Sequence, residues 1–157
     1  MREQQDVSDP DDIRATFIFH PPINDAAAWH MTLEGFVHAL TASFPAAFTK
    51  HRTSQLRDNP VVDFEIEIQP GIWIEGVAST PVENSAVITL VGATVSEAAR
   101  FAQWLRTTLV PAASPICFSS EAALDSGDTT EWHIPADGDF DEIRTVVAEH
   151  RAAHNDE

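Results

Sequence analysis

The sequence predicts an α+β fold of two layers, a mainly antiparallel sheet with helices covering one face. Val62, Phe64, Ile66 and Ile68 alternate with Asp63, Glu65 and Glu67, the period of two that marks a half-buried strand. Apolar residues recur at spacings of three and four in two stretches, Trp29 to Phe44 and Ala98 to Leu109, which marks two amphipathic helices. Between those helices, strand-like runs follow one another with only short turns between them, which favours antiparallel over parallel pairing.

In chain order, Ile13-Arg-Ala-Thr-Phe-Ile-Phe19 is β-branched and aromatic, and His20-Pro21-Pro22 stops it, so it reads as a first strand. Asn24 is expected to cap a helix whose apolar face is Trp29, Leu33, Phe36, Val37, Leu40 and Phe44, ended by Pro45. Residues 46 to 60 carry Lys50, His51, Arg52, Arg57 and Asp58-Asn59-Pro60 without periodicity, and read as a loop with a helical turn. After the 62 to 68 strand, Pro70-Gly71 turns the chain. Ile72 to Ala78 and Ala86 to Val91 continue a meander across a Pro81 to Asn84 turn, and Gly92 breaks the last strand. Thr94 or Ser96 caps the helix carrying Ala98, Phe101, Ala102, Leu105 and Leu109, which runs to Pro111. Pro115-Ile-Cys-Phe118 and Glu131-Trp-His-Ile-Pro135 read as short strands of a hairpin with a long acidic loop. From Asp137, acids open a last helix with Phe140, Ile143, Val146 and Val147 on one face and His150 and Arg151 near its end, the polarity the helix dipole favours.

The chain has 157 residues, 43% of them hydrophobic and 22% charged, enough for one core but not for two full domains. The expected organisation is an acidic tail at 1–12, one α+β domain at 13–152 and a frayed C-terminus at 153–157. Against 25 Asp and Glu stand 9 Lys and Arg, a formal charge of -16 and a pI near 4.5. Nucleic acid and anionic membrane surfaces are therefore not expected as partners, since both are bound through clustered cations. The single cysteine, Cys117, allows no intrachain disulfide. The acidic opening does not read as a signal peptide, and no run approaches the roughly 18 apolar residues of a membrane helix. A soluble, cytoplasmic chain is expected.

Strand parity places Asp63, Glu65 and Glu67 on the outer face of the sheet. With Ile72 and Ile74 inward, it puts Trp73 and Glu75 beside them, so a Trp stands among carboxylates. Such a face is either plain solvated surface or a docking surface. Trp is enriched at interface hot spots, and carboxylates steer a basic partner. A second negative surface is the segment Glu121 to Glu142, which carries Asp125, Asp128, Glu131 and Trp132 and no Lys or Arg. Its Asp-Ser-Gly-Asp and Asp-Gly-Asp-Phe-Asp runs do not satisfy the calcium-loop pattern. His30, Glu34 and His38 share one helical stripe, yet the His-Glu-x-x-His arrangement of zinc proteases is missing, and His150 and His154 fall near a fraying end. No metal site and no cofactor is expected. Nor is a catalytic residue: Cys117 lies in an apolar run as a buried thiol, and nucleophile elbow, Walker loop and dinucleotide fingerprint are all lacking. The basic cluster at Lys50, His51, Arg52 and Arg57 is expected to pair with acids of the same molecule.

In general character rather than in any motif, the chain resembles the small acidic immunity proteins that bacteria encode beside polymorphic or contact-dependent toxins. The resemblance rests on the small acidic α+β chain, the Asp63, Glu65, Glu67, Trp73 and Glu75 face, and the Glu121 to Glu142 segment with Trp132. It implies a non-enzymatic inhibitor that docks stoichiometrically on a basic toxin domain, often a nuclease. Two other classes compete with it. One is a small ligand-binding or regulatory domain with a pocket between helices and sheet lined by Trp29, Phe36, Phe101 and Trp104. The other is a self-associating module, a homodimer through edge strands or open sheet faces.

Overall fold

The structure, a computed structural model, describes residues 13–25, 27–53, 60–82, 85–137 and 139–154. The expected 1–12 tail, residues 155–157 of the C-terminus, and Arg57, Asp58, Asn59 and Asn84 lie outside the described residues. The fold is α+β, with one seven-stranded, wholly antiparallel sheet. Its strands are β1 (Ala15–His20), β2 (Phe48–Thr53), β3 (Pro60–Gln69), β4 (Ile72–Val82), β5 (Ser85–Ala93), β6 (Cys117–Ser120) and β7 (Trp132–His133). In space they run β2-β3-β4-β5-β1-β6-β7. The helices are α1 (Leu33–Ser43), α2 (Val95–Trp104), α3 (Glu121–Asp125) and α4 (Phe140–Ala153). No helix among the described residues is long and apolar enough to cross a membrane.

Alternation builds the core. Phe17, Phe19, Phe64, Ile66, Ile74, Ile88, Leu90 and Phe118 point from the sheet to one side and are buried. There they meet Phe36 and Leu40 of α1, Phe101 and Leu105 from α2 onward, and Ile143 and Val147 of α4. Phe64 stacks on Phe101 at 5.9 Å between ring centroids and meets the edge of Phe36 at 5.4 Å. Each fully buried ring of this kind contributes roughly 1.5–3 kcal/mol of transfer free energy. Gly76 on β4 is required by this packing, because a Cβ there would lie 2.5 Å from both the Phe64 ring and the Thr89 carbonyl oxygen.

Caps set the helix boundaries. The first helix begins at Thr32, whose side chain accepts the Gly35 amide at 3.0 Å, and not at Asn24. Ile23–Asp25 forms only a 3-10 turn, and His30 takes a φ of +50°. Trp29 therefore reaches the core from a loop, its indole N–H donating to the Pro115 carbonyl at 2.9 Å. For the same reason His30, Glu34 and His38 are not a stripe on one helix. In α2, Thr94 and Glu97 form a reciprocal capping box. The helical apolar pattern continues past Trp104 as a π-helical turn over Leu105–Leu109. Asp139 caps α4 by accepting the Asp141 amide at 3.1 Å.

Two further expectations are corrected. Residues 48 to 53 are not a loop with a helical turn but the edge strand β2, paired with β3 from Phe48↔Glu65 to Thr53↔Pro60. Exposure on both faces leaves such a strand no apolar alternation to read. Ile72 is partly exposed rather than inward, because the pairing shifts between Glu67 and Gln69, next to the Pro70-Gly71 turn. Gly71 takes a φ of +79°, and its amide donates to Glu67 Oε2 at 2.7 Å. The segment after β6, expected as loop, opens with α3, for which Ser120 is the cap.

Candidate functional site

On the face of the sheet opposite the core, register aligns four residues from four adjacent strands: Phe48, Glu65, Glu75 and Val91. Trp73 stands opposite Glu67 in the next row of the same face. Phe48 is 57% exposed, Trp73 47% and Val91 41%, so this face carries three of the six large apolar side chains exposed among the described residues. Trp73, Glu65, Glu75 and Val91 line a cleft of about 430 Å³, at whose rim Arg14 is tied to Glu97 Oε1 and to the Gly92 carbonyl, each at 2.9 Å.

The five outer-face residues that parity predicts are thus together, but they are not equivalent. Arg52 on β2 grips Asp63 with two hydrogen bonds, Nε to Oδ2 at 2.6 Å and Nη2 to Oδ1 at 3.0 Å. This hydrogen-bonded pair holds the Asp63 carboxyl below its ordinary value, with a further pull from Lys50, and raises Arg52. The basic cluster therefore pairs in part with the molecule's own acids. Glu67 is occupied by the Gly71 amide. Glu65 and Glu75 face each other across the strand pair, where like charges destabilise.

The second surface behaves differently. Asp128 accepts the Thr130 amide at 2.8 Å and meets His154 Nε2 at 2.6 Å; the Thr130 side chain first, then His154 and the Thr130 amide, hold its carboxyl far below the carboxylate range. Glu131 accepts the Ile23 amide at 3.1 Å, which is the first cause of its lowered value. Trp132 is half-buried, edge-on to His150 at 4.7 Å and beside Phe118. Asp125 is exposed at the end of α3. Apart from Asp125, this cluster is engaged in holding β6, β7 and α4 together.

Phe48 and Val91 were not legible as site residues. Phe48 begins a strand without alternation, and Val91 reads as the end of a buried run. The aromatic residues expected around an internal pocket pack on one another instead: Phe36 with Trp104 at 6.2 Å and Phe101 with Trp104 at 5.5 Å, while the Trp104 indole N–H donates to Ser43 Oγ. Ordinary core packing accounts for them. Comparison with protein-family models, with curated proteins and with solved structures finds no match for this chain.

Proposed function

We propose that the protein acts by binding another protein, without catalysis of its own, through the outer sheet face centred on Trp73, Glu65 and Glu75. The observation that carries this reading is the in-register row Phe48, Glu65, Glu75, Val91. Two carboxylates are kept opposite each other, at a cost to the free protein, and are flanked by exposed apolar side chains. A basic, partly apolar partner relieves that repulsion and covers the rings. Trp73 supplies the large rigid contact area typical of an interface hot spot. With a chain charge of -16, long-range attraction speeds the encounter with such a partner. The particular form we favour is an immunity-type inhibitor that docks on a basic toxin domain, in line with the resemblance noted above.

The test is capture from source cells at low and moderate salt with three baits: the wild-type chain, the Glu65→Arg/Glu75→Arg variant and Asp125→Arg. The reading expects one basic protein held stoichiometrically by the wild type and by Asp125→Arg, and lost by the double variant. Retention by the double variant with loss by Asp125→Arg would transfer the role to the other acidic surface.

A further inference from the structure

A second constellation lies near the far edge of the sheet, where β6 meets β7. Cys117 and His133 are register partners, so their side chains leave the sheet on the same face, and Glu131, two residues before His133, shares that face. The Cys117 sulfur, one Glu131 carboxylate oxygen and one His133 ring nitrogen all lie within 4.8 Å of one another. Glu131 Oε1 is 3.3 Å from His133 Nε2. Two ligands on one tetrahedral zinc, with bonds of about 2.0–2.1 Å, stand roughly that far apart. The Cys117 thiol interacts with the Glu131 carboxylate, and the exposed His133 side chain has the freedom to adjust its position towards both.

The surroundings suit a cation. Glu131 Oε2 is already fixed by the Ile23 amide, the kind of outer-shell hydrogen bond that orients a ligating carboxylate and leaves Oε1 for the metal. Cys117 is fully buried, and burial together with the neighbouring Glu131 charge pushes its thiol up to about 12. A divalent ion offsets both effects: with one thiolate, one carboxylate and a neutral imidazole, the site carries no net charge. A sulfur ligand selects a borderline-soft ion over calcium or magnesium, which take oxygen.

We propose that Cys117 Sγ, Glu131 Oε1 and His133 Nε2 form a three-ligand site for one zinc-class divalent cation, with the fourth coordination position on the solvent side of His133. Binding replaces the thiol proton, which passes to bulk water, so affinity rises with pH. Through Glu131 the ion also ties the Ile23 turn to β6 and to the two-residue strand β7, so it stabilises that edge of the sheet.

The test uses the full chain titrated with Co²⁺ and then Zn²⁺. The proposal expects one equivalent of Co²⁺ with a thiolate-to-cobalt charge-transfer band that Zn²⁺ abolishes. It expects loss of that band in Cys117→Ser, and affinity weakened at least about 10–100-fold in His133→Gln. Circular dichroism checks that each variant is folded. Because His133 is exposed, His133→Gln decides the matter if Cys117→Ser does not fold. Cobalt bound without a thiolate band, as exposed carboxylates alone would hold it, or wild-type affinity in His133→Gln, would overturn the proposal.

Discussion

Glu65 and Glu75 stand directly opposite each other in the β3–β4 pair, on the exposed face of the sheet. Like charges in that relationship destabilise a strand pair, while opposite charges or apolar pairs support it. The neighbouring Asp63 shows the local alternative, since an arginine on the adjacent strand neutralises it. No such partner bonds Glu65 or Glu75 among the described hydrogen bonds and ion pairs.

Replacing one member of the pair therefore stabilises the free protein. Glu75→Gln is expected to raise the unfolding free energy by about 0.2–1 kcal/mol at low ionic strength, with the gain shrinking as salt screens the repulsion. Urea unfolding at two salt concentrations measures this, and a loss of stability at low salt would show that the two carboxylates do not repel.

Trp73 separates binding from stability. Its side chain is largely outside the core, so Trp73→Ala is expected to change stability by no more than about 0.5 kcal/mol while speeding dissociation of the bound partner. If Trp73→Ala unfolds the protein, the ring belongs to the core and not to a docking face.

Gly76 lets β4 pass close to the Phe64 ring and the Thr89 carbonyl. A methyl group there meets the Phe64 ring and the Thr89 carbonyl oxygen, so Gly76→Ala is expected to cost about 1–3 kcal/mol through overpacking. Combining it with Phe64→Leu should recover part of that loss. Strict additivity of the two changes, read from denaturant midpoints, would count against the contact.

His150 near the end of α4 and His154 at its C-cap give stability a defined pH dependence. His150 is buried, its Nε2 bonded to Ser120 Oγ at 2.9 Å, and burial, aided by the neighbouring His154, depresses it to about 4. The unfolded chain takes up that proton first, so the His150 contribution is lost as pH falls from about 6.5 towards about 4. His154 is raised, first by its hydrogen bond to Asp128. Its contribution is complete below about 6.5 and is lost as pH rises through its folded value. Removing the first group with His150→Gln should flatten the acid limb of stability against pH, by an amount on the order of 1–3 kcal/mol. An acid limb unchanged in that variant would contradict the assignment.

How much was legible follows from where each signal comes from. The 62 to 68 alternation exposed both the parity of β3 and the outward set of acids, because one face is buried and the other is not. The edge strand β2 has no buried face to leave such a trace. The start of α1 was misplaced because Trp29 falls on the helical period by coincidence, while the cap at Thr32 and the positive φ of His30 are local events. The row Phe48, Glu65, Glu75, Val91 and the group Cys117, Glu131, His133 both depend on which residue pairs with which across strands. The Glu-Trp-His alternation at 131 to 133 was the one trace of the second group, and it needed the register of Cys117 to acquire meaning.

The central claim, that the outer sheet face is the docking surface, is tested most directly by hydroxyl-radical labelling of the protein alone and in complex with the captured partner. The account predicts that Trp73 and Phe48 are labelled in the free chain and protected in the complex, while Leu124 beside Asp125 is labelled equally in both. Undiminished labelling of Trp73 and Phe48 in the complex, with protection at Leu124 instead, would contradict it.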